Sequence, residues 1–189
     1  MDAALPRILE DADLNLSGAL RMLLAQLKLE LEQMALRIDE VDSVLNKNAH
    51  ENEDSQRLLA IPGVGPVTAT ALIAAIGNGA AFRKGREFAA WMGVVPREHS
   101  TGGKQKLLGI SKRGNSYLRK LFIQGARAVL QHRTKQSSGL SAWLSQLAIR
   151  SHHNVVAVAL ANKLARIAWA VLAKQETYRP AVLTSASAA

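Results

Sequence analysis

The 189-residue sequence contains no cysteine, which excludes structural disulfides, cysteine zinc sites and thiol catalysis. Aromatic residues make up only 4% of the chain, so the core must be aliphatic and rich in alanine, which suits packed helices. No apolar run reaches the roughly 18 residues of a membrane span, and the acidic N-terminus, MDAALPRILEDADLN, does not resemble a signal peptide. The sequence therefore predicts an all-α, cytoplasmic protein without a membrane partner.

Acidic residues are scarce in most of the chain. Residues 1–54 hold 12 acidic and 5 basic side chains, whereas residues 55–189 hold 3 acidic and 19 basic ones. Two-metal phosphoryl chemistry needs a carboxylate cluster, so we expect no metal site in this chain. The basic excess indicates a polyanionic partner, most simply nucleic acid. The alternatives are a solvated basic surface and an anionic membrane.

Apolar residues recur within residues 16–48 at alternating steps of four and three, which is an a/d heptad repeat. The narrow seam favours a coiled coil that joins subunits over a helix packed on its own domain. Residues 1–15 form a short N-terminal segment, and the polar residues 49–56 are predicted to be a linker. The predicted seam consists of Leu20, Leu24, Leu27, Leu31, Met34, Ile38, Val41 and Leu45.

Residues 57–78 predict a helix-hairpin-helix element. A tight turn precedes Pro66, which suits the first position of a helix, and Gly77 ends that helix. Backbone amides at the turn and the partial positive charge of the helix N-terminus could bind a phosphate without reading base sequence. The alternative is an ordinary helical hairpin with a Pro-Gly turn. The predicted phosphate-binding residues are Gly63, Val64 and Gly65.

The most basic stretch runs from Phe82 to Lys135, with 13 basic and 2 acidic residues. It contains a glycine-rich loop, residues 96–104, that holds hydroxyls, a histidine and cations. A serine there could attack phosphorus if a base activated it, although neighbours in an extended loop point apart, so His99 is unproven in that role. The alternative is a phosphate-binding loop without chemistry. The predicted DNA-binding cations are Arg97, Lys104, Lys106, Lys112, Arg113, Arg119 and Lys120.

Three segments resemble the C-terminal half of one-ten-type insertion-sequence transposases, a family related to the Piv DNA invertases. They are LLAIPGVGPVTATALIAAIG, FRKGREFAAWMGVVPREHSTGGKQKLLGISKRGNSYLRKLFIQGARAVL and NVVAVALANKLARIAWAVL. The motifs PGVGPxTA, PREHSTGGK and GISKRGNxYLR are specific when they occur together. The resemblance covers about residues 16–180 of this chain.

The resemblance implies a DNA recombinase that moves a mobile element, guided by a structured RNA. Such proteins join an N-terminal RuvC-like domain, with a DEDD set of metal-binding acids, to a coiled coil and a C-terminal domain with a nucleophilic serine. That domain corresponds to residues 57–179, and the serine maps to Ser100. Thr101 is the alternative, because some versions of the loop place the serine directly before the glycine.

The resemblance also implies that the RuvC-like domain is missing, so we expect a fragment that binds no cofactor alone and needs Mg²⁺ only together with that domain. It implies a nucleoid-associated protein of bacteria, and residues 180–189 are predicted to be a disordered tail. The predicted function is DNA transposition through Ser100. The alternatives are a non-catalytic dimeric helix-hairpin-helix module that binds DNA or RNA, and a helical assembly protein that binds structured RNA only.

Overall fold

The computed structural model describes residues 4–11, 14–104, 106–132 and 139–180. Within them the chain forms eight helices and one two-stranded antiparallel sheet, which confirms the all-α prediction but adds two short strands. The elements are α1 (Ala4–Glu10), α2 (Gly18–Glu51), α3 (Glu53–Leu59), α4 (Pro66–Ile76), α5 (Gly85–Met92), β1 (Pro96–Glu98), β2 (Leu107–Ile110), α6 (Ser116–Gln131), α7 (Gly139–Arg150) and α8 (His153–Lys174).

The chain divides into two compact units, with the boundary between residues 46 and 47. In the first unit, the Arg21 guanidinium donates hydrogen bonds to the carbonyl oxygens of Leu9, Asp11 and Leu14 at 2.7, 2.7 and 3.1 Å. These bonds fasten the end of α1 to the first turn of α2. The predicted N-terminal segment 1–15 thus contains a short helix, and residues 1–3, 12 and 13 lie outside the described residues.

The heptad residues lie on α2, a helix of 34 residues. Six of the eight predicted seam residues are exposed, from 39% for Leu31 to 59% for Met34 and Ile38, and Leu24 and Leu45 are half-buried. The helix that the repeat predicts is confirmed. Its apolar seam is available to a partner, and the coiled coil stays a prediction.

The prediction of a linker over residues 49–56 is wrong. Helix α2 continues to Glu51, and after Asn52 the chain enters α3 directly. The Asn52 side chain accepts a hydrogen bond of 2.9 Å from the Ser55 N–H, and Glu53 and Asp54 lie in the first turn, where negative charge is favourable. The polar residues therefore cap a helix, and the second unit begins ten residues earlier than the domain predicted at 57–179.

Helix α8 is the centre of the second unit and packs against α3, α5, α6 and α7. By length and composition it could cross a membrane, but half of its most apolar stretch is buried inside the fold, as expected for a core helix. Its buried residues follow a helical stripe and are small or aliphatic, which lets neighbouring helices approach closely. They are Val156, Ala157, Leu160, Ala161, Leu164, Ala165, Ala168, Val171 and Leu172.

Two pairs of close backbone contacts fix the loops of this unit. Gly63, with a φ of +80°, packs on α6 so closely that a Cβ atom would lie 2.6 Å from the Gly125 carbonyl oxygen. Gly93 ends α5 in the left-handed conformation, and a Cβ there or at Gly114 would overlap the backbone of the other segment. These contacts hold the hairpin turn on α6 and the segment before α6 on the end of α5.

Of the predicted disordered tail, only Pro180 lies within the described residues.

Candidate active site on an exposed hairpin

The glycine-rich loop predicted at residues 96–104 is one side of a β-hairpin. Strands β1 and β2 pair in antiparallel register, with Pro96 opposite Ile110, and the pairing continues through the His99 N–H to the Lys106 carbonyl at 2.9 Å. At the tip, Gly102 and Gly103 have φ angles of +58° and +76°. Two successive positive φ angles are typical of a type I′ turn, which matches the twist of a hairpin.

Ser100 lies on this hairpin beside a carboxylate. Its Oγ donates a hydrogen bond of 2.6 Å to Glu98 Oε1 and accepts one of 3.4 Å from the Lys106 N–H. Residues two apart on an extended chain project to the same side, which explains the pairing. A carboxylate at this distance can accept the hydroxyl proton. Both side chains are exposed, so a DNA strand can reach them.

Glu98 is not among the site residues predicted from the sequence. The sequence contains a signal for the pairing of Glu98 with Ser100. Gly102-Gly103 is a typical hairpin turn, and residues 98 and 100, two apart on a strand, then lie on the same side. His99, the base considered from sequence, is exposed, and its side chain makes no hydrogen bond to Ser100 in the described part of the chain. Thr101 has no side-chain hydrogen bond there, so Ser100 and Thr101 differ in their hydrogen bonding.

Most of the predicted DNA-binding cations are on the surface of the hairpin and of the segment that follows it. Six of them are exposed, and none forms an ion pair with any residue that the structure describes. The one carboxylate on the hairpin is that of Glu98, so the field there is strongly positive. The six are Arg97, Lys104, Lys106, Lys112, Arg113 and Lys120.

Arg119 differs from the other predicted cations. It is half-buried, and its Nη1 donates a hydrogen bond of 3.0 Å to the Met92 carbonyl oxygen at the end of α5. A cation at a helix C-terminus is favourable because the last carbonyls lack helical partners. Arg119 therefore joins α6 to α5, and the DNA contact predicted for it stays a prediction.

The structure speaks against one residue of the predicted phosphate-binding turn, Val64. Helix α4 begins at Pro66 and ends at Gly77 as expected. Val64, however, is buried, and its N–H donates to the Ile61 carbonyl oxygen at 3.0 Å, while Gly63 packs on α6. Gly65 has open space around its Cα. The buried, internally bonded N–H of Val64 is therefore unsuited to bind a phosphate, and the phosphate contacts predicted for Gly63 and Gly65 stay predictions.

The described residues contain no group of three or more His, Asp or Glu side chains that could hold a metal ion. These residues therefore do not fit a Mg²⁺ site.

Comparison with known proteins agrees with the motifs. Residues 55–142 match the family described as "Transposase IS116/IS110/IS902 family". Over 84% of its length, the chain is 49% identical to a "Probable family 20 transposase" of Pseudomonas aeruginosa, and the match covers 47% of that protein. Over 93% of its length, it is 45% identical to the "Transposase for insertion sequence element IS1111A" of Coxiella burnetii, and the match covers 48% of that protein.

A more distant relative is the "Pilin gene-inverting protein" of Moraxella bovis, which is 33% identical over 44% of this chain and 26% of that protein. The chain spans about half the length of the two transposases above. The matched region includes the helical hairpin at residues 57–78 and all of α6. It also includes the β-hairpin of β1 and β2 that carries Ser100, called the serine hairpin below. Residues 55–142 are therefore similar to the domain of the IS116/IS110/IS902 transposase family.

Proposed function

We propose that this chain breaks and rejoins DNA phosphodiesters during transposition of an insertion sequence, with Ser100 as the nucleophile. The observation that carries the proposal is the hydrogen bond of 2.6 Å between Ser100 Oγ and Glu98 Oε1 on an exposed, basic hairpin. The relatives are named as transposases and a gene-inverting protein, which supports DNA as the substrate.

The proposed step is a transesterification. The Ser100 hydroxyl gives its proton to the Glu98 carboxylate while Oγ attacks the phosphorus of a DNA phosphodiester. A bond forms between Oγ and phosphorus, and the bond from phosphorus to the leaving deoxyribose oxygen breaks. The leaving oxygen takes a proton from water, and the protonated Glu98 carboxyl gives its proton to the hydroxide that remains. Attack by a deoxyribose hydroxyl on the serine phosphodiester reverses the step and rejoins DNA without an energy source.

The basic side chains of the hairpin assist this step. Arg97, Lys104 and Lys106 are exposed on the same two-stranded element as Ser100. Cations that are already in place stabilise the additional negative charge that develops on the phosphoryl oxygens in the transition state. They also attract the DNA backbone without regard to its sequence.

Three partners belong to the same proposal and rest on the family resemblance. They are a second copy of the chain on the α2 seam, a structured guide RNA, and a RuvC-like domain whose acids hold Mg²⁺.

The test is formation of a covalent complex that survives denaturing electrophoresis. The full chain is incubated with duplex DNA, Mg²⁺ and the RuvC-like half of a transposase of the family, and the wild type is expected to give a slower-migrating species that nuclease treatment removes. Ser100→Ala should abolish this species and keep DNA affinity, whereas Thr101→Ala should retain both. An adduct that persists in Ser100→Ala contradicts the assignment of the nucleophile. DNA binding without any adduct in the wild type would favour the non-catalytic binding module.

A further inference from the structure

The second unit contains a large groove on a side of α8 that the serine hairpin also borders. Its volume is about 1270 Å³, and its walls come from the start of α5, from β2, from Trp143 on α7 and from α8. Strand β2 contributes Leu108, Gly109 and Ile110 to one wall. The groove therefore begins at the element that carries the proposed nucleophile.

The charged residues that line the groove are all cations. None of its lining residues is acidic, and none of its cations forms an ion pair within the described ranges. A concave surface with one sign of charge attracts a polyanion. None of these cations belongs to the DNA-binding set predicted from sequence. They are Lys84, Arg86, Lys163, Arg166 and Lys174.

The floor of the groove is apolar. Val94, Val158 and Ile167 line it together with two indole rings, those of Trp143 and Trp169. The Trp169 Nε1 donates to the Gly79 carbonyl oxygen at 3.1 Å, and Lys163 Nζ lies 4.4 Å from the centre of the Trp143 ring. Both rings are therefore held in place, and Lys163 brings a positive charge to the floor.

We infer that this groove binds single-stranded DNA, with unpaired bases on the apolar floor and phosphates at the cationic rim. Duplex DNA presents phosphates and sugars outward and cannot bring base faces to such a floor, whereas an unpaired strand offers both groups at once. The inference rests on the proposed function, because it takes DNA as the substrate.

The test measures binding, so it does not require catalysis. Fluorescence anisotropy of the full chain is recorded with labelled oligo(dT) of about 12 nucleotides and with an abasic strand of equal length. The two oligonucleotides have the same phosphates, so the difference between their affinities reports contact with the bases. The wild type is expected to bind oligo(dT) at least about tenfold more tightly than the abasic strand.

Variants locate this binding in the groove. Arg166→Gln should weaken oligo(dT) binding by about fivefold or more, the loss of one phosphate contact made by an arginine. Arg150→Gln removes a cation that is also exposed, at the end of α7 and outside the groove, and should change binding by less than about twofold. Circular dichroism confirms that both variants are folded.

Several results would overturn the inference. They are equal affinity for oligo(dT) and the abasic strand, equal effects of the two substitutions, or tighter binding of oligo(rU), which would assign the groove to RNA. If Arg166→Gln weakens binding of an acidic amphipathic helical peptide but not of oligo(dT), the groove is a protein-docking site. A chain that forms the Ser100 adduct but shows no base-dependent binding refutes the groove proposal alone.

Discussion

The Ser100 Oγ lies 2.6 Å from Glu98 Oε1, on the same side of an extended strand and two residues along the chain. His99, between them, projects to the other side. This relationship places a proton acceptor beside a hydroxyl on a surface where every other charged group of the hairpin is cationic. It is the reason for proposing Glu98 as the group that accepts the proton of the serine.

Replacing Glu98 with Gln should slow the reaction and leave DNA binding intact. Glutamine preserves the shape and the hydrogen-bond acceptor but takes up a proton far less readily, so adduct formation in a single turnover should fall about 100-fold or more. DNA affinity should stay equal or rise slightly, because one negative charge is lost. The control is Glu87→Gln, whose carboxylate lies 3.7 Å from the Arg83 guanidinium. Equal rates for both variants would contradict a role for Glu98.

The hairpin lysines should determine how DNA affinity depends on salt. Each phosphate contact contributes about 0.9 to the slope of log affinity against log salt concentration, so the double substitution Lys104→Gln and Lys106→Gln should reduce the slope by about 2. The control pair, Lys28→Gln and Lys47→Gln, removes lysines that are ion-paired on α2. The slope is measured by anisotropy titrations at several salt concentrations. An unchanged slope in the hairpin variant would place the DNA elsewhere.

Gly63→Ala should destabilise the second unit strongly. The left-handed backbone disfavours a side chain, and the new Cβ would lie 2.6 Å from the Gly125 carbonyl oxygen and 2.8 Å from Val129 Cγ2. Strain and overpacking together should lower the free energy of unfolding by about 2–4 kcal/mol. All three tryptophans lie in this unit, so urea unfolding followed by tryptophan fluorescence measures the change.

The control for this substitution is Gly109→Ala. Gly109 has open space where a Cβ would be placed and no positive φ, so the free energy of unfolding should change by less than about 0.5 kcal/mol. Similar losses in the two variants would mean that the contact between Gly63 and Gly125 does not set the stability.

The α2 seam should mediate assembly. Leu27 and Met34 are 52% and 59% exposed in the single chain, so changing both to glutamate should prevent a helix partner from burying them and should lower the mass measured by sedimentation equilibrium. The control changes Met22 and Leu29 to glutamate. These residues are 73% and 55% exposed and lie on the opposite side of the helix. A mass that is unchanged in the seam variant would contradict the coiled coil.

The features that the sequence predicted correctly are those with strong local preferences. Proline at the first position of α4 and glycine at its end restrict the backbone wherever they occur, and the heptad spacing of α2 is visible in the sequence itself. The predicted linker was wrong because asparagine and acidic residues suit both loops and helix caps. Here Asn52 and the residues after it form a cap.

The strands were missed because every residue of β1 is exposed, as are the first three of β2, so no alternation of buried and exposed residues marks them. The roles of Arg119 and Val64 depend on tertiary contacts. Arg119 bonds a carbonyl 27 residues away, and Val64 is buried only because the turn packs on the core. The groove gathers cations from α5 and α8, which are distant in sequence and adjacent only in the fold.

The position of the covalent bond to DNA tests whether Ser100 is the nucleophile. The adduct formed by the full chain is digested with nuclease and trypsin, and the peptide that carries the remaining nucleotide is sequenced by tandem mass spectrometry. Cleavage after Arg97 and Lys104 yields one peptide that contains both Ser100 and Thr101, so its fragment ions distinguish them. We predict a nucleotide phosphate on Ser100. A nucleotide on Thr101, or on a residue outside the hairpin, would show that Ser100 is not the nucleophile.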